Sequence, residues 1–287
     1  MNSGFRFKGR HSKEFGIIMK TSSRPIQPQM KSRTYDAPLS DGSYDFSAAN
    51  SFNRAFYQNR IFTMLMQLHA PGLRELNRRI SKISLWLSGR GILEFDDTPN
   101  VQWSAVVING IDYAPERYGH SAALAVSFET EPFAKGIFNT FDGPVLDIIL
   151  TLDSAIPIGM AERLTYEGGS GTVTVPNCGT WYVRPKIVFD AGESAVTAAE
   201  IKCGNKKISY SAADGEAPSK VIFDCKNHTA ADENGKSLNG GISGEFFELA
   251  PGENTVEYSC SPPAAMTVGY TPEYIHDFET DWGADDA

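Results

Sequence analysis

The fold class is decided by the stretch PGLRELNRRISKISLWL (residues 71–87) and by the segment GILEF (91–95) that follows it. In the first stretch, apolar residues recur at spacings of three and four, which predicts an amphipathic helix. Pro71 precedes this pattern and Gly89 follows it, as is typical of the two ends of a helix. The apolar positions are Leu73, Leu76, Ile80, Ile83 and Leu87. A single helix in a chain rich in strands is expected to pack across a sheet or to cap a barrel.

Strand patterns lie on both sides of this helix. Phe5 and Phe7 alternate with Arg6 and Lys8, which is the period of two expected of a half-buried strand. Asn109-Gly110 lies between apolar residues and predicts a hairpin turn. Pro25 and Pro28 exclude helix from residues 21–45, which we interpret as strands or a loop broken by turns. Further strands are predicted at 52–68, 91–95, 101–108 and 121–129.

The second half of the chain consists almost entirely of short apolar runs separated by Gly, Asn, Asp or Pro. Runs of four to nine residues at this spacing predict a β-sandwich. The tetrad Pro251–Asn254 has the composition of a tight turn. The predicted strands are 172–176, 181–189, 207–210, 220–224, 244–249 and 254–260.

The charge of the chain is unevenly distributed. The 287 residues carry a formal charge of −9, of which residues 1–135 contribute +5 and residues 136–287 contribute −14. This asymmetry predicts two domains with those boundaries, and it argues against a specific nucleic-acid partner because phosphates would be repelled by the second half. The best apolar run, residues 145–150, contains an acid, and no apolar core follows the charged first twenty residues. We therefore expect neither membrane insertion nor a secretory signal.

No residue pattern indicates chemistry. The four cysteines (Cys178, Cys203, Cys225 and Cys260) have spacings that match no zinc site, and reduced thiols are expected. Gly168–Gly171 precedes a strand rather than a helix and so lacks the dipole of a phosphate cradle. The acids Asp96-Asp97 and Glu279-Asp281 could form a glycosidase pair, but carboxylates are common in turns. We expect no catalytic residues, no cofactor and no metal ion.

Three aromatic residues are candidates for a sugar-binding platform. Trp181, Tyr182 and Tyr270 could stack on sugar rings, as aromatic residues do in glycan-binding sandwiches. The alternative is that they pack in the core between the sheets, where aromatic side chains supply much of the buried area.

The order of several segments along the chain resembles the family of siphophage distal tail proteins. Along the chain, the N-terminal segment comes first and the helix follows it. A strand that ends in Phe128-Glu129 then comes before the end of the first domain. The segments are Gly4–Gly9 with Phe15–Ile17, the helix through Asp97, 128–133, Asn177–Tyr182 with Arg184–Ile187, and Gly244–Asn254. The tract 140–175 and the acidic C-terminal segment depart from the family pattern.

The resemblance implies a fold and a role. The N-terminal domain would be β-barrel-like with one helix, and it would form a homo-hexameric ring. The C-terminal domain would be a galectin-like or carbohydrate-module-like β-sandwich. The ring would join the tail tube protein to the tail-associated hub or lysin protein at the distal end of the virion tail, after assembly in the bacterial cytoplasm. It could carry a receptor-binding protein. The alternative is a glycan-binding protein that attaches to host polysaccharide.

Overall fold

The computed structural model describes residues 4–36, 38–39, 41–50, 52–115, 120–137, 139–140, 164–212 and 217–275. These residues divide into two units, one running to Ala134 and including Ile275, the other running from Lys135 to Tyr274. The predicted mainly β fold is confirmed. The assignment of domains to 1–135 and 136–287 stays a prediction. The run 145–150, most of the tract 140–175 and the pair Glu279-Asp281 lie outside the described residues.

The first unit contains ten strands and one α-helix among its described residues, together with a 3-10 helix at Ser12–Phe15. The helix, α1, spans Leu73–Leu87. The strands are β1 (Phe5–Phe7), β2 (Arg10–His11), β3 (Ile17–Ser23), β4 (Thr34–Tyr35), β5 (Tyr44–Asp45), β6 (Arg60–His69), β7 (Arg90–Phe95), β8 (Thr98–Val107), β9 (Asp112–Pro115) and β10 (Ser121–Thr130).

An antiparallel sheet in the order β2-β1-β7-β8-β10-β6-β3 forms the centre of this unit. Its longest pairing joins β6 and β10 through ten consecutive residue pairs, from Arg60 opposite Thr130 to His69 opposite Ser121. Because side chains alternate between faces, the even-numbered residues of β6 are all buried up to Leu68. The register therefore assigns one complete face of the sheet to the core.

The sheet curls strongly around this core. Phe7 in β1 contacts Phe128 in β10 with 5.2 Å between ring centroids, and Phe62 in β6 contacts Phe95 in β7 at 6.0 Å. In each case the two strands are three positions apart, which is about 14 Å in a flat sheet. Rings can approach this closely only across a concave face, so the unit has the barrel-like form expected from the sequence.

The predicted helix is confirmed, and its buried face covers one side of the core. Leu76, Ile83 and Leu87 are buried as the spacing predicts, whereas Leu73 is 55% exposed. Trp86, which the apolar stripe did not include, is also buried. Its indole stacks on Phe15 with 4.3 Å between centroids, and its Nε1–H donates to the Phe7 carbonyl at 2.8 Å. Helix and sheet are thus joined by aromatic packing and one buried hydrogen bond.

Two local expectations were wrong. Asn109-Gly110 does not turn a hairpin, because β8 and β9 lie one after the other along the same partner, β10. Between β8 and β9, the Asn109 side chain takes the place of a ladder partner for β10, since its Oδ1 accepts from the Ser127 N–H at 2.7 Å. The predicted strand 52–68 begins only at Arg60, because Asn53 has a φ of +51°, which a strand does not accommodate.

The second unit is a sandwich of two five-stranded antiparallel sheets. One sheet has the order β12-β21-β14-β17-β18 and the other β13-β20-β15-β16-β19. The ten strands of the sandwich are β12 (Leu164–Tyr166), β13 (Ser170–Asn177), β14 (Lys186–Asp190), β15 (Ala198–Cys203), β16 (Lys206–Ser211), β17 (Lys220–Asp224), β18 (Thr229–Ala231), β19 (Ile242–Gly244), β20 (Gly252–Ser261) and β21 (Ala265–Gly269), with a 3-10 helix at Asn239–Gly241. Two short strands, β11 (Ala134–Gly136) and β22 (Glu273–Tyr274), pair with each other and belong to neither sheet of the sandwich.

One hydrophobic core lies between these two sheets. Ile187, Phe189 and Phe223 from the first sheet share it with Ile201 and Val256 from the second. The expected β-sandwich is therefore present.

Two of its predicted strands were wrong in part. Residues 181–185 precede β14, since Pro185 has no N–H to donate to a ladder. In 244–249, Gly244 at a φ of +103° ends β19, and only Leu249 forms an isolated bridge, with Val183.

Candidate assembly surfaces

A long excursion between β3 and β6, residues 24–59, is the most apolar exposed segment of the first unit; we call it the arm. It contributes half of the large hydrophobic side chains that are exposed among the described residues. They are Ile26, Met30, Tyr35, Leu39, Tyr44, Phe46 and Phe56. A segment that exposes this many apolar side chains is a candidate for contact with another molecule.

The arm is held in shape by its own hydrogen bonds. β4 and β5 pair so that Tyr35 lies opposite Tyr44, and the Phe46 N–H donates to the Arg33 carbonyl at 2.7 Å. Nearer the base, the Lys31 N–H donates to the Phe56 carbonyl at 2.7 Å. The two limbs of the arm are therefore cross-connected at its base and along its length, although the intervening aromatic rings are exposed.

Arg60 anchors the base of the arm. Its guanidinium donates to the carbonyls of Pro25 (3.1 Å), Ile26 (3.0 Å) and Pro132 (2.7 Å), and also to that of Ile275. The group lies 5.0 Å from the Trp103 ring centroid, and burial lowers the pKa of Arg60 to about 10. One buried cation therefore fixes the start of the arm, the end of β10 and the segment after β22.

The outer face of the β6–β10 pair is a second exposed surface, and it carries little charge. Ile61 and Leu65 are about half exposed there, with Thr63 between them. Their partners across the register are Glu129, Ser127 and Ala125, so the outer face of this strand pair carries one charged group. Such a face provides little repulsion against a neighbouring protein surface.

The three predicted sugar-stacking residues do not share one environment. Tyr270 is only 4% exposed and belongs to the sandwich core, and its hydroxyl donates to the Pro176 carbonyl. Burial raises the pKa of Tyr270 well above its ordinary value. No ring face of Tyr270 is open to a sugar, so the core-packing alternative applies to it. Trp181 and Tyr182 contact each other edge to face at 5.5 Å, and Tyr182 is 36% exposed.

The cysteines show no arrangement for chemistry. All four are free thiols, and burial raises the pKa of Cys225 to about 12. Within the part of the chain that the structure describes, no three His, Cys, Asp or Glu side chains come together as a metal site. In the same part, no helix has both the length and the apolar character needed to cross a membrane.

The residues of the arm were missed as a functional surface. Most of its apolar side chains stand singly among Ser, Pro, Gln and Asp, and the sequence therefore predicted strands or a loop broken by turns rather than an interaction surface. The position of Arg60 could have been recognised from the sequence, since it lies on the same face of the strand as the buried Phe62, Met64 and Met66. A cation on the buried face of a strand predicts a buried partner set.

Together, the curled sheet with one helix and the antiparallel sandwich define a mainly β protein of two units. The fold is that of a solved structure, the SPP1 Dit (gp 19.1) protein, described as a paradigm of the hub adsorption apparatus in phages that infect Gram-positive bacteria. The likeness has a TM-score of 0.65 at 13% sequence identity and covers 94% of this chain and 98% of that chain. No family model and no curated protein matches the sequence.

Proposed function

We propose that the chain is a structural component of the distal end of a siphophage tail, in which six copies form a ring. The ring joins the tail tube protein to the hub or lysin protein of the tail tip, and it supports the apparatus that recognises the host. The chain has no catalytic role in this proposal. Assembly takes place in the cytoplasm of the infected bacterium, and the mature location is the virion.

The observation that carries this proposal is the extent of the fold likeness. Both units, in the same order and over almost the full length of both chains, correspond to a protein described as part of a phage adsorption hub. A shared sandwich alone would support many functions, since that architecture is common to unrelated proteins. A chain that combines a curled sheet with a sandwich is compatible with fewer functions than a sandwich alone.

The arm supports self-assembly independently of the likeness. Exposed aromatic residues on a hydrogen-bonded segment are poorly accommodated in a solitary protein, because removing them from water is favourable. A segment of one subunit that covers its neighbour generates a heterologous contact, and such contacts close into a ring when the rotation is right. The outer face of β6 and β10, which carries little charge, offers a surface of matching character.

A glycan-binding role is the second candidate, and the exposure of Tyr182 beside Trp181 favours it. An aromatic pair at the surface of a sandwich could stack on a sugar ring. The two functions are compatible if the ring displays six sandwiches toward a host polysaccharide.

Negative-stain electron microscopy of the purified chain tests the proposal directly. We expect annular particles with six-fold symmetry, and antibody against the chain should label the distal end of tails in a phage that encodes it. Uniformly small, solitary particles together with specific binding on a glycan array would replace the ring by the glycan-binding candidate.

A further inference from the structure

A basic cleft of about 770 Å³ lies in the first unit, between the 3-10 helix and α1. Five cationic side chains line it: Lys8, Arg10, Lys13, Arg79 and Lys82. The proposed self-assembly and the fold likeness do not explain this concentration of charge.

The carboxylates at the cleft leave much of this charge unbalanced. Glu14 pairs with Arg10 at 3.1 Å and Glu75 pairs with Arg79 at 3.2 Å. Lys8 donates to the Ser88 carbonyl, and Lys82 has no ion-pair partner among the described residues. Lys13 lies 3.7 Å from Asp96, just outside the lining, so the lining and this neighbour together carry a net charge of about +2, which attracts an anionic partner.

The same cleft has an apolar side. The stacked Phe15 and Trp86 rings form its buried floor, and the Arg10 guanidinium lies 4.5 Å from the Phe15 centroid. Leu85 is 77% exposed at its margin. Cations beside an exposed apolar group suit a peptide that alternates acids with aromatic residues better than a small inorganic anion.

We propose that the basic cleft binds the acidic C-terminal segment, residues 276–287, of a neighbouring copy of the chain; this rests on the proposed self-assembly. The segment reads HDFETDWGADDA, with five carboxylates and no Lys or Arg. Phe278 and Trp282, which lie outside the described residues, supply the apolar side chains. Opposite charge draws the segment to the cleft, and the aromatic residues fix its register.

Strand geometry favours a neighbour over the same copy. The carbonyl of Ile275 is held by Arg60, the first residue of β6, whereas Arg79 of the cleft donates to the carbonyl of His69, the last residue. Nine residue steps along a strand separate these ends by about 30 Å. In the same copy, Phe278 reaches only about 10 Å and Trp282 about 25 Å from Ile275. Phe278 therefore cannot enter its own cleft, whereas a neighbouring copy can supply both aromatic residues to it.

Zero-length carbodiimide cross-linking, which joins a carboxylate to a lysine amine, tests this contact in the full-length protein. We expect cross-linked peptides between residues 277–286 and Lys8, Lys13 or Lys82. The exposed Lys202–Glu257 pair, 3.0 Å apart in the second unit, reports that the reaction has worked. Lys82→Glu should reduce the yield at least ~5-fold, and raising salt to 0.5 M should do the same because the attraction is screened. The matched control Arg74→Glu, on the same helix but outside the cleft, should not.

Two co-expressed full-length variants distinguish a neighbour's segment from the chain's own. One variant carries Gln at Lys8, Lys13 and Lys82, and the other carries amides in place of the five C-terminal carboxylates. We expect the cross-link to persist in the mixed assembly, where it can form only between chains. A cross-link seen in the wild type but lost in the mixture would overturn the proposal, as would its absence from a wild type that light scattering shows to be assembled. A monomer by light scattering would instead overturn the proposed function, and this inference with it.

Discussion

The inner face of the first sheet and the arm are both rich in aromatic residues. The aromatic side chains are buried on the inner face and exposed in the arm. Phe5, Phe7, Phe62 and Phe128 are completely or almost completely buried on the inner face. In the arm, Tyr35, Tyr44 and Phe46 are each at least half exposed, although the backbone there also forms hydrogen bonds between its two limbs. The comparison shows that aromatic content alone does not define a core. The arm is the surface that the proposed self-assembly would cover.

The largest effect is expected at the inner face. Trp86→Ala removes the stacking on Phe15 and the hydrogen bond to the Phe7 carbonyl, and it leaves a cavity between helix and sheet. The free energy of unfolding should fall by about 3–5 kcal/mol. Urea denaturation followed by tryptophan fluorescence and circular dichroism measures it. A loss below about 1 kcal/mol would mean that the aromatic cluster contributes little to the core.

The next effect is expected at the base of the arm. Arg60→Met deprives four backbone carbonyls of their donor and should lower the free energy of unfolding by about 3 kcal/mol. Limited proteolysis should then cut first within residues 24–59. Arg90→Met is the matched control, since Arg90 is exposed and donates to Ser104 Oγ at 3.3 Å. Equal stability of the two variants would contradict the anchoring role.

A smaller effect separates the two tyrosines of the sandwich. Tyr270→Phe removes the hydroxyl that satisfies the Pro176 carbonyl and should cost about 1–2 kcal/mol in thermal or chemical unfolding. Tyr182→Phe should change stability by less than about 0.5 kcal/mol because the side chain is partly exposed. If Tyr182 proved the more sensitive residue, the assignment of Tyr270 to the core would be wrong.

Asp96 should make the first unit sensitive to acid. Although burial acts to raise the pKa of Asp96, hydrogen bonds from His11 and the Gly4 N–H outweigh it, and the pKa lies below its ordinary value. This stabilisation is complete above the unfolded pKa of about 3.9 and is lost as the pH falls through the lower folded value. Asp96→Asn should cost about 1 kcal/mol at pH 7 and less at pH 3. A cost independent of pH would refute the ionic contribution.

The smallest effect on stability is expected in the arm itself. Tyr35→Ser combined with Tyr44→Ser replaces two exposed rings that face each other across β4 and β5. The free energy of unfolding of the single chain should change by less than about 0.5 kcal/mol. A loss comparable to that of Trp86→Ala would place these rings in a core after all.

The spacing of apolar residues within one segment correctly predicted several strands and the helix. The alternation at Phe5 and Phe7, the helical spacing through Leu87 and the runs 207–210 and 220–224 were all confirmed, because one buried face imposes a fixed period. The hairpin at Asn109-Gly110 was wrong because β10 is long enough to pair with two strands in succession. That outcome depends on tertiary pairing, which a dipeptide does not encode.

The surfaces were harder to predict than the strands. Tyr270 and Tyr182 have the same chemistry, and only the packing of the two sheets distinguishes a core tyrosine from an exposed one. The basic cleft brings Lys8 and Lys82 together from segments far apart in sequence. The helical period alone does not show that Lys82 meets cations from another segment, because that contact depends on how helix and sheet pack.

Light scattering coupled to size-exclusion chromatography, over a range of concentrations, tests the central claim that this chain acts by assembling with copies of itself. The account predicts a species of about 190 kDa for six 31.4-kDa chains. It also predicts that Tyr35→Ser with Tyr44→Ser shifts this species toward the single chain without unfolding it. A wild-type chain that stays at 31.4 kDa at every concentration, or an arm variant that assembles unchanged, would contradict it.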